Sequence, residues 1–189
     1  MSSRHLILIR HSQSRPVEGV DPHTWALTEI GRERCTAVAA HLRPYRLDKL
    51  YCSYERKAVQ TAQLVAEQLM VPVEIVANVH EHVRADAPFL PPNEFKTTLE
   101  AFFRKPQELV FGSETAEQAL NRFADAIDNL IARDTQEIVA VVTHGTVLSL
   151  FVSAYSIWEP IEFWKRLGQP AIAMLHIPSF ALARTSFTV

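Results

Sequence analysis

The sequence predicts an α/β fold: one three-layer domain, with a mostly parallel central sheet of about six strands and helices on both faces. Three observations predict it. Short β-branched runs alternate with longer amphipathic ones, the pattern of strand–helix–strand units with parallel strands. One run, "EIVAVVTH", is apolar at successive positions and hence on both faces, as expected of a strand at a sheet centre. And 189 residues, 48% hydrophobic and 21% charged, suffice for a substantial core, with no repeat, linker or low-complexity segment to divide the chain. A single domain over residues 1–189 is the expectation.

The elements follow in order. "LILIR" is a strand, and "LTEIGRERCTAVAAHLRPY" a helix with Ile30, Val38 and Leu42 at helical spacing and Thr28 as N-cap. "LDKLYCS" returns to strand. "YERKAVQTAQLVAEQL" is a helix with Ala58, Ala62, Val65 and Leu69 along one face, and "PVEIVA" is a third strand. Residues 77–112 break the rhythm: Pro88, Pro91 and Pro92 stand among Phe89, Leu90 and Phe95, an irregular excursion carrying a short helix near Glu94–Phe103. "TAEQALNRFADAIDNLIARD" is a long amphipathic helix leading into "EIVAVVTH". A helix from about Thr146, another around "PIEFWKRL", and the strands "AIAMLHI" and "FALARTSF" complete the chain.

The totals exclude several classes. A net charge of −2 provides no bulk positive field to gather nucleic-acid phosphates, so any anion site must come from a few placed cations. Cys35 and Cys52 lie inside a helix and a strand, as small buried hydrophobes of a reduced compartment. The run Leu6–Ile9 is too short for a signal segment and is cut off by Arg10; no stretch approaches the ~18–20 apolar residues that span a bilayer. A soluble, cytoplasmic protein with no membrane or nucleic-acid partner is expected.

Two predicted strands end on histidine: "LILI" runs into Arg10-His11, and "IVAVVT" into His144-Gly145. The carboxyl ends of parallel strands share one edge of the sheet, where ligands bind, so His11 and His144 should meet. Gly145 opens a helix, whose free N–H groups favour an anion. Arg56 falls in the first turn of the helix after the second strand, where a cation opposes the helix dipole and stability alone would not select it. "VHEHVR" puts Glu81 between two histidines after the third strand. Singly, each has a plain structural reading: a hydrogen-bonded histidine, a solvated arginine, a loop carboxylate. His5, His23, His41 and His176 keep that reading. Convergence of four strand ends on one edge points to chemistry.

In that order and spacing, "LILIRHSQS", "SYERKAVQTA", "HEHVR" and "VVTHGTV" resemble the histidine phosphatase superfamily, which includes cofactor-dependent phosphoglycerate mutases. "LTEIGRERC" is similar to its first-helix stretch and "GSETAEQALNRF" to its segment before the long helix. The resemblance implies that His11 takes the phosphoryl group as a phosphohistidine. Arg10 and Arg56 would grip phosphate oxygens through forked N–H pairs. His144 would stabilise the transferring group, and Glu81 would protonate the leaving oxygen and then activate water. His11 must attack as neutral imidazole, which neighbouring guanidinium charges favour, whereas Glu81 must keep a proton near neutral pH, which burial would promote. No metal or other cofactor is implied; the partner is a small phosphorylated substrate or inorganic phosphate, in a monomer or homodimer.

There are departures. Ser12 stands where the family usually has glycine, and would narrow the phosphate pocket or donate one more hydrogen bond. Val17 replaces a phosphate-binding asparagine, leaving Arg15 and Arg84 as substitute cations or as solvated residues. Three rivals to a phosphomonoesterase remain: a mutase, which needs longer insertions than this chain carries; a metal site using His80 and His82 with His11 or His144; and a binder without turnover. Phe89, Leu90, Phe95, Phe102, Phe103 and Phe111 roof the pocket for an apolar leaving group or pack a satellite core. Trp158, Phe163 and Trp164 are core residues or a dimer contact.

Overall fold

Strands β1 (His5–Arg10), β2 (Leu50–Cys52), β3 (Val73–Ile75), β4 (Ile138–Thr143), β5 (Ala171–His176) and β6 (Leu182–Ser186) form one sheet in the order β3-β2-β4-β1-β5-β6. This is a computed structural model, and it describes residues 4–84 and 88–189. The four strands from β3 to β1 are mutually parallel, while β5 and β6 add an antiparallel edge. The α/β expectation therefore holds, with the departure from parallel pairing confined to the carboxyl-terminal hairpin.

Alternation along the central strands divides the core in two. Leu6 and Leu8 of β1 and Val139 and Val141 of β4 face one cluster; Ile7, Ile9, Ala140 and Val142 face the other. Helices α1 (Glu29–Leu42) and α2 (Arg56–Leu69) cover the second face through Cys35, Val38, Leu42, Ala58, Ala62 and Val65. On the first face lie α3 (Pro92–Arg104), α4 (Ala116–Arg133), α5 (Gly145–Ala154) and α6 (Pro160–Arg166), contributing fully buried Phe102, Phe123, Phe151 and Phe163. Burying each such ring contributes about 1.5–3 kcal/mol. Phe163 is thus core, and Trp158 packs edgewise on it at 5.8 Å.

Local signals behave as read, with one exception. Thr28 caps α1, its Oγ1 accepting from Gly31 N at 3.0 Å, and Thr115 with Gln118 forms a capping box on α4. Ile30, however, is exposed. The first turn of α1 instead turns Gly31 inward, where a Cβ would stand 2.1 Å from the Gln13 carbonyl oxygen. Close backbone approach, not apolar periodicity, sets that turn. Burial raises the thiol pKa of Cys35 to about 11 and of Cys52 to about 12, so both are inert, unbridged packing groups. Among the described residues no helix is long and apolar enough to cross a membrane.

Register decides what the carboxyl edge presents. Arg10 pairs with Thr143, so the next residues, His11 and His144, leave the sheet side by side. His11 N still donates to Thr143 O (2.9 Å) and Ser53 N to Val142 O (2.9 Å), bringing the ends of β1, β4 and β2 level. The segment after β3 crosses this edge, tied down by Thr143 Oγ1 donating to Val79 O at 2.8 Å.

Candidate active site

A cavity of about 630 Å³ opens at this edge, with Arg10, His11, Lys57, Glu81, Arg84 and Thr146 among its lining residues. His11 is buried and its Nδ1 lies 2.7 Å from Ser12 O. A carbonyl only accepts, so Nδ1 carries the proton and Nε2 keeps its lone pair. Burial, then the neighbouring His144, Lys57 and Arg10, hold the ring's pKa well below its ordinary value, leaving it neutral. His144 meets it edge-on with ring centroids 5.2 Å apart. Burial and Lys57 keep that ring neutral too, against the opposite pull of Glu81. Its Nε2 stands 3.4 Å from Glu55 Oε1, and neither ring nitrogen makes a hydrogen bond among the described residues.

Arg10 donates from Nη1 to Leu167 O at 2.6 Å. Burial lowers its pKa to about 10, which leaves it charged at neutral pH. Gly145 makes room for it: a Cβ there would come within 2.9 Å of Arg10 Nε and 3.0 Å of Cζ. This glycine lets a guanidinium lie against the first turn of α5.

The anion at that helix N-terminus is the protein's own. Glu81 accepts from Thr146 N (3.1 Å), Val147 N (3.3 Å) and His82 N (2.9 Å). Burial alone would raise its pKa, as the sequence suggested. Arg84, His144 and the His82 N–H together outweigh that and carry it down to about 2. The expected protonated Glu81 is therefore corrected: its lowered pKa makes it a carboxylate at neutral pH.

Two further expectations are corrected. Arg56 is exposed and lines a separate hollow with Arg15 and Val17, apart from His11. The adjacent Lys57 is the buried cation, donating from Nζ to Glu55 Oε2 at 2.5 Å and to Pro22 O at 2.8 Å. The signal was available. Ala58, Ala62 and Val65 define the inner face of α2, and Lys57 belongs to it with Thr61 and Val65 at four-residue steps, whereas Arg56 does not. Ser12 likewise points away from the cavity: its backbone N–H donates to Thr61 Oγ1 at 3.0 Å and its hydroxyl lies beside the Cys35 thiol. Of the two substitute cations, Arg84 lines the cavity, with a buried Nη1 that has no hydrogen-bond partner among the described residues.

A second layer places Glu81. Glu55 sits at the N-cap position of α2 without capping it; its Oε1 accepts from Glu81 N at 2.7 Å. Arg122 on α4 donates to the carbonyls of Asn78 (2.8 Å), His80 (3.1 Å) and Glu81 (3.3 Å). It also forks onto Glu114 at 3.0 and 2.6 Å, and Glu114 accepts from Val83 N at 3.0 Å. "GSETAEQALNRF" thus contributes a clamp on the loop that carries Glu81. His82 serves that clamp, its Nε2 3.1 Å from Glu114 O and its ring against Phe102 and Phe111. The rings of His80 and His82 do not stand together over an ion site, and no cluster of three or more His, Cys, Asp or Glu among the described residues has metal-binding geometry.

Four buried histidines resist protonation: burial holds down His11, His144 and His82, and burial with Arg122 carries His80 to about 4. An unfolded histidine titrates near 6.5, so below that pH the unfolded chain binds more protons than the folded one. Stability is full above about pH 6.5 and falls as pH drops, by up to about 1.4 kcal/mol per unit for each ring still neutral. The urea midpoint should drop clearly between pH 7.5 and 5.5; an unchanged midpoint would mean the rings accept protons in place.

The family model described as "Histidine phosphatase superfamily (branch 1)" matches residues 6–179. The serine/threonine-protein phosphatase Pgam5, mitochondrial, of Drosophila willistoni is 30% identical over 174 residues, 88% of this chain and 55% of that protein. This chain therefore spans about half the length of the curated relatives it matches. Among solved structures, Bacillus stearothermophilus YhfR superposes with a TM-score of 0.77 at 20% identity, covering 98% of both chains. A putative alpha-ribazole-5'-P phosphatase from Escherichia coli gives 0.74 at 22% identity, covering 98% of this chain and 97% of its own. A mycobacterial glucosyl-3-phosphoglycerate phosphatase gives 0.74 at 18%, covering 97% and 96%. With a family match running from β1 to beyond β5, and two strand-end histidines meeting as register requires, the chain belongs to the histidine phosphatase superfamily.

Proposed function

We propose that the protein hydrolyses phosphomonoesters through a phosphohistidine at His11, without a metal ion. One observation carries this: a neutral imidazole with a free Nε2 shares a cavity with three cations, Arg10, Lys57 and Arg84. Fixed cations stabilise charge spread over a transferring phosphoryl group and cost no reorganisation during reaction. Unpartnered buried atoms in the same lining, Arg10 Nε, Arg84 Nη1 and Thr146 Oγ1, supply further contacts for phosphate oxygens.

In the first step Nε2 of His11 bonds to phosphorus as the bond to the ester oxygen breaks, and that oxygen takes a proton from Glu81. Glu81 begins ionised, so the proton must arrive with the substrate. A monoester's second ionisation lies near pH ~6, so the bound monoanion carries one proton. Once the bound phosphate offsets the charge of Arg84, the largest of the influences that lower the Glu81 pKa, and sets a like charge beside it, the protonated form gains. In the second step water adds to phosphorus, the N–P bond breaks, and Glu81 takes the water's proton. Three of the similar proteins, the Drosophila, Escherichia coli and mycobacterial ones, are phosphatases by their descriptions, which supports hydrolysis over mutase chemistry.

The test is phosphate release from a panel of monoesters in excess chelator, with 3-phosphoglycerate followed for isomerisation as well. Hydrolysis unaffected by the chelator, without isomerisation, is expected. Isomerisation outpacing phosphate release, or activity restored only by added metal, overturns the reading.

A further inference from the structure

Each of the three cations in the cavity stands over an aromatic ring that lines the same cavity. Arg10 lies 5.8 Å from the centroid of Trp164, Lys57 5.7 Å from Trp25, and Arg84 4.8 Å from Phe95. Phe95 in turn meets Phe111 and Trp164, each at 6.2 Å, so the rings on one side form a continuous wall. Towards solvent the wall continues into Phe89 and Leu90, and Phe89 is 42% exposed although it lines the cavity. The phenylalanines of the 88–111 stretch are thus divided: Phe102 and Phe103 pack the core, while Phe89, Phe95 and Phe111 face the site.

At about 630 Å³ the cavity is of a size that takes a whole drug-sized ligand, so a phosphoryl group fills a minor part of it. The rest must receive the alcohol. Among the described residues, beyond the cations, His11, Glu81 and Thr146, the further polar side chains on offer are Ser14, Asp21 and Gln169. Asp21 already accepts from His23 N at 2.9 Å, and its charge opposes an acidic alcohol. A polyhydroxylated alcohol would leave most of its hydroxyls against rings and prolines, without partners. A flat apolar alcohol would instead bury its faces there.

We infer that the cavity selects monoesters of aromatic or similarly flat apolar alcohols. This rests on the hydrolase reading above and names the substrate class of that site. It runs against simple transfer from the neighbours described as acting on a glucosyl-phosphoglycerate or a ribazole phosphate.

The test compares kcat/KM for 1-naphthyl phosphate, glucose 6-phosphate, 3-phosphoglycerate and a phosphoserine peptide, on wild type, Phe89→Ser and Leu90→Ser. Phe89 is exposed and Leu90 only partly buried, so folding should be unaffected; matching melting temperatures check it. Naphthyl phosphate should be preferred at least ~30-fold, the ratio expected from burying one ring system. Each variant should reduce that ester roughly 5- to 10-fold and leave glucose 6-phosphate, and competitive inhibition by inorganic phosphate, within about twofold. Equal or better use of the sugar, acid or peptide ester overturns the inference while leaving the hydrolase reading intact; so does an equal loss on every ester. If no ester is turned over, the hydrolase reading fails, and calorimetric binding of the same compounds decides the class: tighter naphthyl phosphate upholds it, equal affinities overturn it.

Discussion

His11→Ala is expected to reduce kcat/KM for every phosphomonoester by roughly 10⁴-fold or more, the scale on which a covalent nucleophile is lost. The magnitude follows from what the ring does. In the proposed reaction its Nε2 forms the bond that divides one difficult displacement into two, and among the described residues His11 is the histidine that lines the cavity with the three cations. His144 is the nearest substitute, but nothing fixes its tautomer and it stands behind His11 at 5.2 Å. Stability should change little, because the deletion opens onto an existing cavity and removes one neutral hydrogen bond, worth about 1 kcal/mol. Rapid quenching with a labelled aryl ester should trap acid-labile, base-stable phosphorus on the wild type and none on the variant. Label on another side chain, or a loss below tenfold in a folded variant, would remove His11 from the role.

Much of this site was readable in the sequence, for a definite reason. Where strands are apolar on both faces, their ends are set by the first charged residue; "LILIR" and "IVAVVT" therefore located Arg10, His11 and His144 to the residue. Parallel pairing then made them neighbours without further information. Errors arose where a side chain's direction or environment depends on distant segments. Arg56 stood out as a cation in a first turn, opposing the helix dipole, yet the face of α2 that looks inward carries Lys57. Glu81's ionisation depends on how closely Arg84 and His144 approach it and on the His82 N–H, an arrangement that "VHEHVR" alone does not display. The clamp of Arg122 and Glu114 on that loop is of the same kind, Arg122 reaching carbonyls that lie 41 to 44 residues before it in sequence. Local pattern supplied the elements; burial and the charges that the fold brings together supplied the protonation states.

Lys57 is where structure and chemistry can be separated. With side chains 4% and 0% exposed, Lys57 and Glu55 form a fully desolvated pair at 2.5 Å. Lys57→Met should destabilise the fold by about 3–5 kcal/mol, the usual cost of stranding one partner of a buried pair. The stranded group is Glu55, whose pKa is held below the ordinary range against its burial mainly by Lys57. Without it the carboxylate must take up a proton or draw one onto His144, 3.4 Å away. Adding Glu55→Leu removes that liability, since apolar pairs of similar volume commonly replace buried ion pairs at little cost, and the double variant should return to within about 2 kcal/mol of wild type. Activity should not return with it. A phosphate oxygen would still lack the Lys57 charge, and Glu81 N would have lost its acceptor on Glu55, so kcat/KM should stay down by about 100-fold or more. Urea denaturation and steady-state kinetics on the two variants read the two quantities independently. A double variant recovering both would make Lys57 a structural partner of Glu55 alone; a single variant as stable as wild type would show that Glu55 is neutral beside His144, and the charge balance drawn for the cavity would have to be redrawn around Arg10 and Arg84.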